Sequence, residues 1–223
     1  MYFLAFGKIL KKLNFSRSLE SKLILQIVLE VKNQNNHYCK FCSFQVTIVK
    51  KRFLFLLSFL LFAVNSYGFK QEDLDKLKTI NQCIDCKLTE APLFGLVLNG
   101  ANLQAAKLDF ANLENVSLRD ANLGFASMRG AYLIGADLVG TNLTDGDLSG
   151  ANLQNTNLTG SMMIDIDLRG ADLTGANLQE VNLRNARLER AVLRGAKLDF
   201  ADLIGAKFCN TIMPNGDTAI KDC

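Results

Sequence analysis

A large apolar side chain recurs every five residues from Leu88 to Met213, at twenty-six positions without a slip. Leucine fills all of them except Met128, Met163, Phe208 and Met213. An α-helix does not bury this pattern. Five residues advance about 500° around a helix, which leaves each leucine about 140° from the last. The leucines would spiral around every side and form no stripe. A plain strand fails as well, because an odd period sends successive leucines to opposite faces. A coil that turns a corner every five residues buries all of them.

The positions around each leucine fit that coil. Two residues before it stands a small residue, usually alanine, as at Ala101, Ala121, Ala151 and Ala191. Alanine and leucine are two apart, so both point inward from one short extended side. One residue before the leucine is often Asn or Asp, as at Asn102, Asp137, Asn152 and Asp172. Two residues after it is often glycine, as at Gly100, Gly130, Gly150 and Gly175. Glycine there suits a type II turn, which needs positive φ. Stacked coils then bury one continuous core. Its ladder includes Leu88, Leu98, Leu103, Leu113, Leu123, Leu138, Leu153, Leu173, Leu183, Leu193 and Leu203.

The segments A-N-L-Q-N (151–155), A-D-L-T-G (171–175) and A-D-L-I-G (201–205) resemble the pentapeptide repeat family, pattern A-[DN]-L-x-x. The resemblance covers about 88–213. It implies an all-β solenoid, a right-handed quadrilateral β-helix with four pentapeptides per coil. That gives about 6.5 coils and a rod of about 31 Å at roughly 4.8 Å per coil. Stacked neighbours are then twenty residues apart. One face has alanine at every small site: Ala91, Ala111, Ala131, Ala151, Ala171 and Ala191. The other faces admit Val116, Thr141, Gly146, Thr156, Ser161, Ile166 and Val181. The uniform face is expected to stack most regularly. Ile166 after Gly146, with Met163 nearby, predicts a local bulge.

Ahead of the repeats the chain changes character. Residues 1–68 carry a net charge of +8, and residues 69–223 a net charge of −5, within a total of +3. Lys50, Lys51 and Arg52 precede the apolar run 53–64, followed by Asn65, Ser66, Tyr67 and Gly68. Residues 49–68 read as a signal peptide, with Ser66 and Gly68 placed for cleavage before Phe69 and Val64 and Ser66 offering a second site. The run is shorter than the roughly 20 residues that a spanning helix needs. Signal peptides begin close to the first residue, so Val49 reads as the initiation site and residues 1–48 as upstream sequence. The alternative is a cytoplasmic extension with an amphipathic helix around 16–32. In that reading the uncleaved run 53–64 anchors the protein to the inner membrane. His37 with Cys39 and Cys42 does not complete a tetrahedral metal site.

Solenoid ends need caps. Residues 69–87 read as the N-terminal cap, with a short helix over 72–82 that turns Leu74, Leu77 and Ile80 to the first coil. Residues 214–223 read as the C-terminal cap, ending in a turn at Pro214, Asn215 and Gly216. Cleavage leaves four cysteines, Cys83, Cys86, Cys209 and Cys223, two near each end. An even count in an exported chain favours disulfides, and four cysteines allow three pairings. The favoured set is Cys83–Cys86 and Cys209–Cys223, since the ends are a rod length apart. The run F-C-N-T-I-M-P-N-G-D (208–217) resembles the closing segment of secreted or lumenal family members. A thioredoxin-like role for C-I-D-C (83–86) needs a βαβ context that this chain does not supply.

Catalytic parts are scarce. The single histidine of the chain, His37, precedes residue 69, so the repeat region has no histidine base. No phosphate loop appears, and no catalytic residue, cofactor site or metal site is expected. Asp145, Asp147, Asp165 and Asp167 stack on one edge at twenty-residue spacing. They would form either an oxygen-only calcium cluster or a solvated edge balanced by Arg169 and Arg187. Arg184, Arg187, Arg190, Arg194 and Lys197 form a belt around the coil, not a groove-reading surface. Phe110, Phe125, Phe200 and Tyr132 fall on different faces or corners.

The expected protein is therefore a non-catalytic, exported scaffold or interaction module, periplasmic or extracellular. Its partner is an unidentified protein or a second copy of the chain. It meets a membrane only through the signal segment and binds no nucleic acid. A second reading is a DNA mimic that binds gyrase, as some family members do. About 31 Å of duplex carries roughly 18 phosphates, whereas residues 88–213 net only −4.

Overall fold

The computed structural model describes residues 68–223. The leader, the signal segment and the alternative membrane anchor at 53–64 lie outside the described residues. Parallel bridges join positions twenty apart, from Gln82↔Asn102 through Asp147↔Asp167 to Val192↔Ile212. One coil thus takes twenty residues and has four sides. Each side contributes one bridge to the coil before and one to the coil after.

Nearly every corner has the same construction. The leucine carbonyl accepts a hydrogen bond from the N–H three residues on, as Ala106 N donates to Leu103 O at 3.0 Å. The second corner residue has positive φ at every fifth position from Asp85 to Asn210. That is the type II pattern. Glycine is not required there: Ala105, Phe110, Phe125, Arg190 and Phe200 hold φ between 55 and 62°. The coil-to-coil hydrogen bonds impose this conformation on them.

The preference for Asn or Asp before each leucine also has a local cause. The side-chain oxygen accepts the N–H two residues on. Asn112 does so from Glu114 at 3.1 Å, Asn152 from Gln154 at 3.2 Å and Asp172 from Thr174 at 3.0 Å. These Asx turns satisfy a corner donor that the ladder does not reach.

Leucine and small residue point inward together. Leu88, Leu103, Leu113, Leu123, Leu153, Leu173 and Leu183 are fully buried, and Leu98, Leu138 and Leu193 nearly so. Leu203, in the last coil, is only partly buried. The corner bond records what occupies the small site. Alanine at 91, 111, 151, 171 and 191 gives 3.0 Å. Val116, Thr141 and Thr156 stretch it to 3.2 Å, and Val181 to 3.4 Å. At Ile166 no such bond to Met163 forms, although Asp167 N still reaches Gly146 O at 2.9 Å. A β-branched side chain crowds the corner from inside. The bulge expected at Ile166 is therefore an opened corner in an unbroken ladder.

At the N-terminal end α1 (Gln71–Ile80) closes on Asn81, whose φ is 56° and whose N–H donates to Leu77 O. Leu74 and Leu77 are buried against the coil. Ile80 departs from expectation and is 59 % exposed, because the helix ends before its next inward turn. The coil also begins earlier than the leucine series. Cys83 N donates to Asn102 O, the bond that a leucine makes elsewhere, and Asp85 already has positive φ. Cys83 occupies a leucine position and Cys86 an alanine position. Both are buried and joined to each other.

At the C-terminal end β1 (Thr211–Ile212) pairs antiparallel with β2 (Thr218–Ala219). Asn215 Oδ1 accepts from Asp217 N at 3.0 Å, closing the turn expected at Pro214–Gly216. Cys209 is joined to Cys223.

Candidate interaction surfaces

One side of the rod carries a charged ladder. Its column runs Lys107, Ser127, Asp147, Asp167, Arg187 and Lys207, each bridged to the next. Asp109 anchors the early part. It accepts from Ser127 Oγ at 2.6 Å, Arg129 N at 3.1 Å and Arg129 Nε at 3.0 Å. Burial pushes the Asp109 carboxyl up, but the donors from Arg129 and Ser127 prevail and hold it below the usual range. Arg129 Nε also approaches Asp147 at 3.9 Å.

Further along, Asp167 takes both arginines that the sequence placed beside it. Arg169 Nε donates at 2.8 Å, and Arg187 Nη1 lies at 3.7 Å. Burial raises the Asp167 carboxyl, and Arg169 and Arg187 lower it further than burial raises it. These contacts occupy one member of the acidic quartet. Asp147 and Asp167 do stack as ladder partners, and Asp145 and Asp165 are corner residues with positive φ. Among the described residues no group of three or more His, Cys, Asp or Glu side chains is placed to hold a metal ion. At Asp167 the edge is balanced by Arg169 and Arg187.

Another column is an amide ladder. Asn122 Nδ2 donates to Asn102 Oδ1 at 3.4 Å, and Asn142 Nδ2 to Asn122 Oδ1 at 3.3 Å. Each of these oxygens also caps its own corner, at Gln104, Gly124 and Thr144. These side chains are committed to the scaffold.

The exposed aromatics occupy different faces and corners, and some of them flank one side. Pro92, Asn112 and Tyr132 are consecutive bridge partners on one side. Phe94 is two residues past Pro92, and Phe110 two residues before Asn112. Phe94 and Phe110 therefore stand on the two corners that flank the side of Tyr132 in the early coils, all three exposed. The Phe110 ring covers Gly130, where an added Cβ would meet it at 2.6 Å. This grouping crosses three coils, so linear spacing hides it. Phe125 and Phe200 stand on other corners.

The C-terminal end is the most open part of the rod. Interior coils donate from the leucine N–H and the second corner N–H to the coil that follows, as Leu178 to Lys197 O and Glu180 to Asp199 O. Among the described residues, Leu198, Phe200, Leu203 and Gly205 have no following coil to receive those bonds. Leu198, Ala201 and Leu203 are only partly buried. Phe200 is 90 % exposed, and Ile204 beside it is also exposed.

A family model for pentapeptide repeats matches residues 97–135, 136–175 and 176–213, in eight copies. No curated protein sequence matches the chain at a significant level. Among solved structures, QnrB1, a plasmid-mediated fluoroquinolone resistance protein, is 18% identical, with 55% of this chain and 70% of that one covered and a TM-score of 0.38. A pentapeptide repeat protein of the cyanobacterium Cyanothece 51142 is 28% identical over 64% of this chain and 97% of that one, TM-score 0.25. One from the thylakoid lumen of Arabidopsis thaliana is 21% identical over 51% and 70%, TM-score 0.19.

Proposed function

Since this chain belongs to the pentapeptide repeat family, we propose that it is a non-catalytic exported interaction module. We read its rod as right-handed, with about 6.5 coils. The observation that carries the binding reading is the open C-terminal end. In the inner coils many polar side chains cap corners or pair with one another, and the leucine and second-corner N–H groups are used up in the ladder. At the last coil, backbone donors and half-covered leucines face outward together. An extended segment of a partner protein pairs with such an edge by adding a strand. A second copy meeting it end to end is the homodimeric form of the same reading.

Export is supported by the basic and apolar signal pattern at 50–68 and by two disulfides, which persist in oxidising compartments. A periplasmic or extracellular location follows. The test is cell fractionation with N-terminal sequencing. Recovery outside the cytoplasm with a new N-terminus near Phe69 is expected. Recovery in the membrane with residues 53–64 intact would replace export by tethering. The gyrase reading rests on an acidic rod, yet the charged side alternates in sign at Asp109, Arg129, Asp167 and Arg187. A supercoiling assay with the purified chain is expected to show no change in gyrase activity.

A further inference from the structure

The two disulfides hold their ends in different ways. Cys83 and Cys86 are 0% and 4% exposed and fill core positions. α1 above them is kept in place by Leu74 and Leu77, by Lys87 N donating to Asp73 Oδ2 at 2.8 Å, and by Asn81 Nδ2 donating to Asn99 O at 2.8 Å. Cutting that disulfide would leave the packing.

The other end has no such packing. Cys209 belongs to the rod, since its carbonyl accepts from Arg190 N at 2.8 Å. Cys223 is exposed, and none of residues 214–223 is buried. The tail after Pro214 meets the coil through the two-residue β1–β2 ladder, Met213 N donating to Asp217 O at 2.8 Å, and Phe208 N donating to Asp222 Oδ2 at 3.4 Å. A ladder this short is marginal in water without burial behind it. The covalent link is what keeps the tail on the last coil.

We infer that Cys209–Cys223 is a reducible pin, through which a dithiol reductant releases the C-terminal tail while the N-terminal cap stays closed. In the reaction the dithiol is oxidised to its own disulfide. Its two electrons and two protons pass to Cys209 and Cys223, which become free thiols. Thiol exchange needs access to a sulfur, and this pair offers it while Cys83–Cys86 does not. Release frees the N–H groups of Phe208 and Met213. Together with those of Leu198 and Leu203, they extend the open edge to all four sides of the last coil. The switch holds for the oxidised chain in any compartment, so its failure is separate from failure of the export reading.

The experiment is a dithiothreitol titration of the purified, oxidised full chain. Alkylation with mass spectrometry reads each cysteine, and amide hydrogen exchange reads the backbone. Cys209 and Cys223 are expected to become labelled at a reductant concentration about tenfold lower than Cys83 and Cys86. Amide protection at Phe208 and Met213 falls in step, while Cys83 to Leu193 stays protected. Cys223→Ser should show the same exchange without reductant. Simultaneous reduction of both pairs overturns the inference. So does loss of the Cys209–Cys223 bond with Phe208 and Met213 still protected.

Discussion

The two ends of the rod receive the same stacked coil and finish it in opposite ways. At the N-terminal end side chains answer the edge on two sides, and only Val97, on a third, is left exposed with no such bond. Asp73 accepts the Lys87 N–H that has no earlier coil to bond. Pro92, on the next side, brings no N–H at all. α1 then covers the core with Leu74 and Leu77. At the C-terminal end the repeat stops, the tail folds over two sides, and Leu198, Phe200, Leu203 and Gly205 keep their donors free. A solenoid needs a cap for solubility, but a half-covered end leaves a place to bind.

That difference can be broken or sharpened. The largest effect is expected midway between the ends. Leu158→Lys buries an unpaired charge in the core and should abolish folding, seen as loss of the cooperative thermal transition. A soluble, sharply melting variant would refute the inward assignment. Next comes the sealed end. Leu77→Ala should cost about 2–5 kcal/mol in urea unfolding, the range for a fully buried leucine. Leu203→Ala, at the open end, should cost less than half as much, because its site is already part solvent. Equal costs would erase the contrast.

A smaller effect separates the rod from both ends. Asp109 and Asp167 have carboxyls held below their unfolded values. Their contribution is present above the unfolded value near pH 3.9 and is lost as pH falls through the folded values. Thermal stability should therefore drop on acidification below about pH 4. Asp109→Asn together with Asp167→Asn should flatten that drop. The smallest effect is a gain. Ser161 Oγ is buried without a hydrogen-bond partner, whereas Thr141 Oγ1, one coil earlier in the same column, reaches Leu118 O at 2.9 Å. Ser161→Ala should stabilise by about 1 kcal/mol in the same urea assay.

The architecture was legible because the five-residue period admits few ways to bury leucine. Alanine at 91 to 191 marked the regular face, and Ile166 after Gly146 marked the disturbed corner. Other features were hidden because the sequence shows residue types and the fold uses positions. Cys83 and Cys86 continue the leucine and alanine columns, but their chemistry drew attention to the cap. Phe110 and Phe200 occupy a backbone conformation that sequence reasoning assigns to glycine, since only the completed ladder imposes it. Phe94, Phe110 and Tyr132 come to one side and its two corners only through stacking across coils. The acidic quartet admitted a cation cluster or a balanced edge, and only the structure shows Arg169 and Arg187 both reaching Asp167.

The central claim is that the core of the rod is covered at one end and open at the other. Residue-resolved amide hydrogen exchange on the oxidised chain, at a concentration where it is monomeric, tests it most directly. Cys83, Asp85, Leu88 and Glu90 donate to the next coil and should be protected like the middle of the rod. Leu198, Phe200, Leu203 and Gly205 should exchange fastest among the corresponding coil positions. Equal protection at the two ends, or faster exchange from Cys83 to Glu90, would contradict the account.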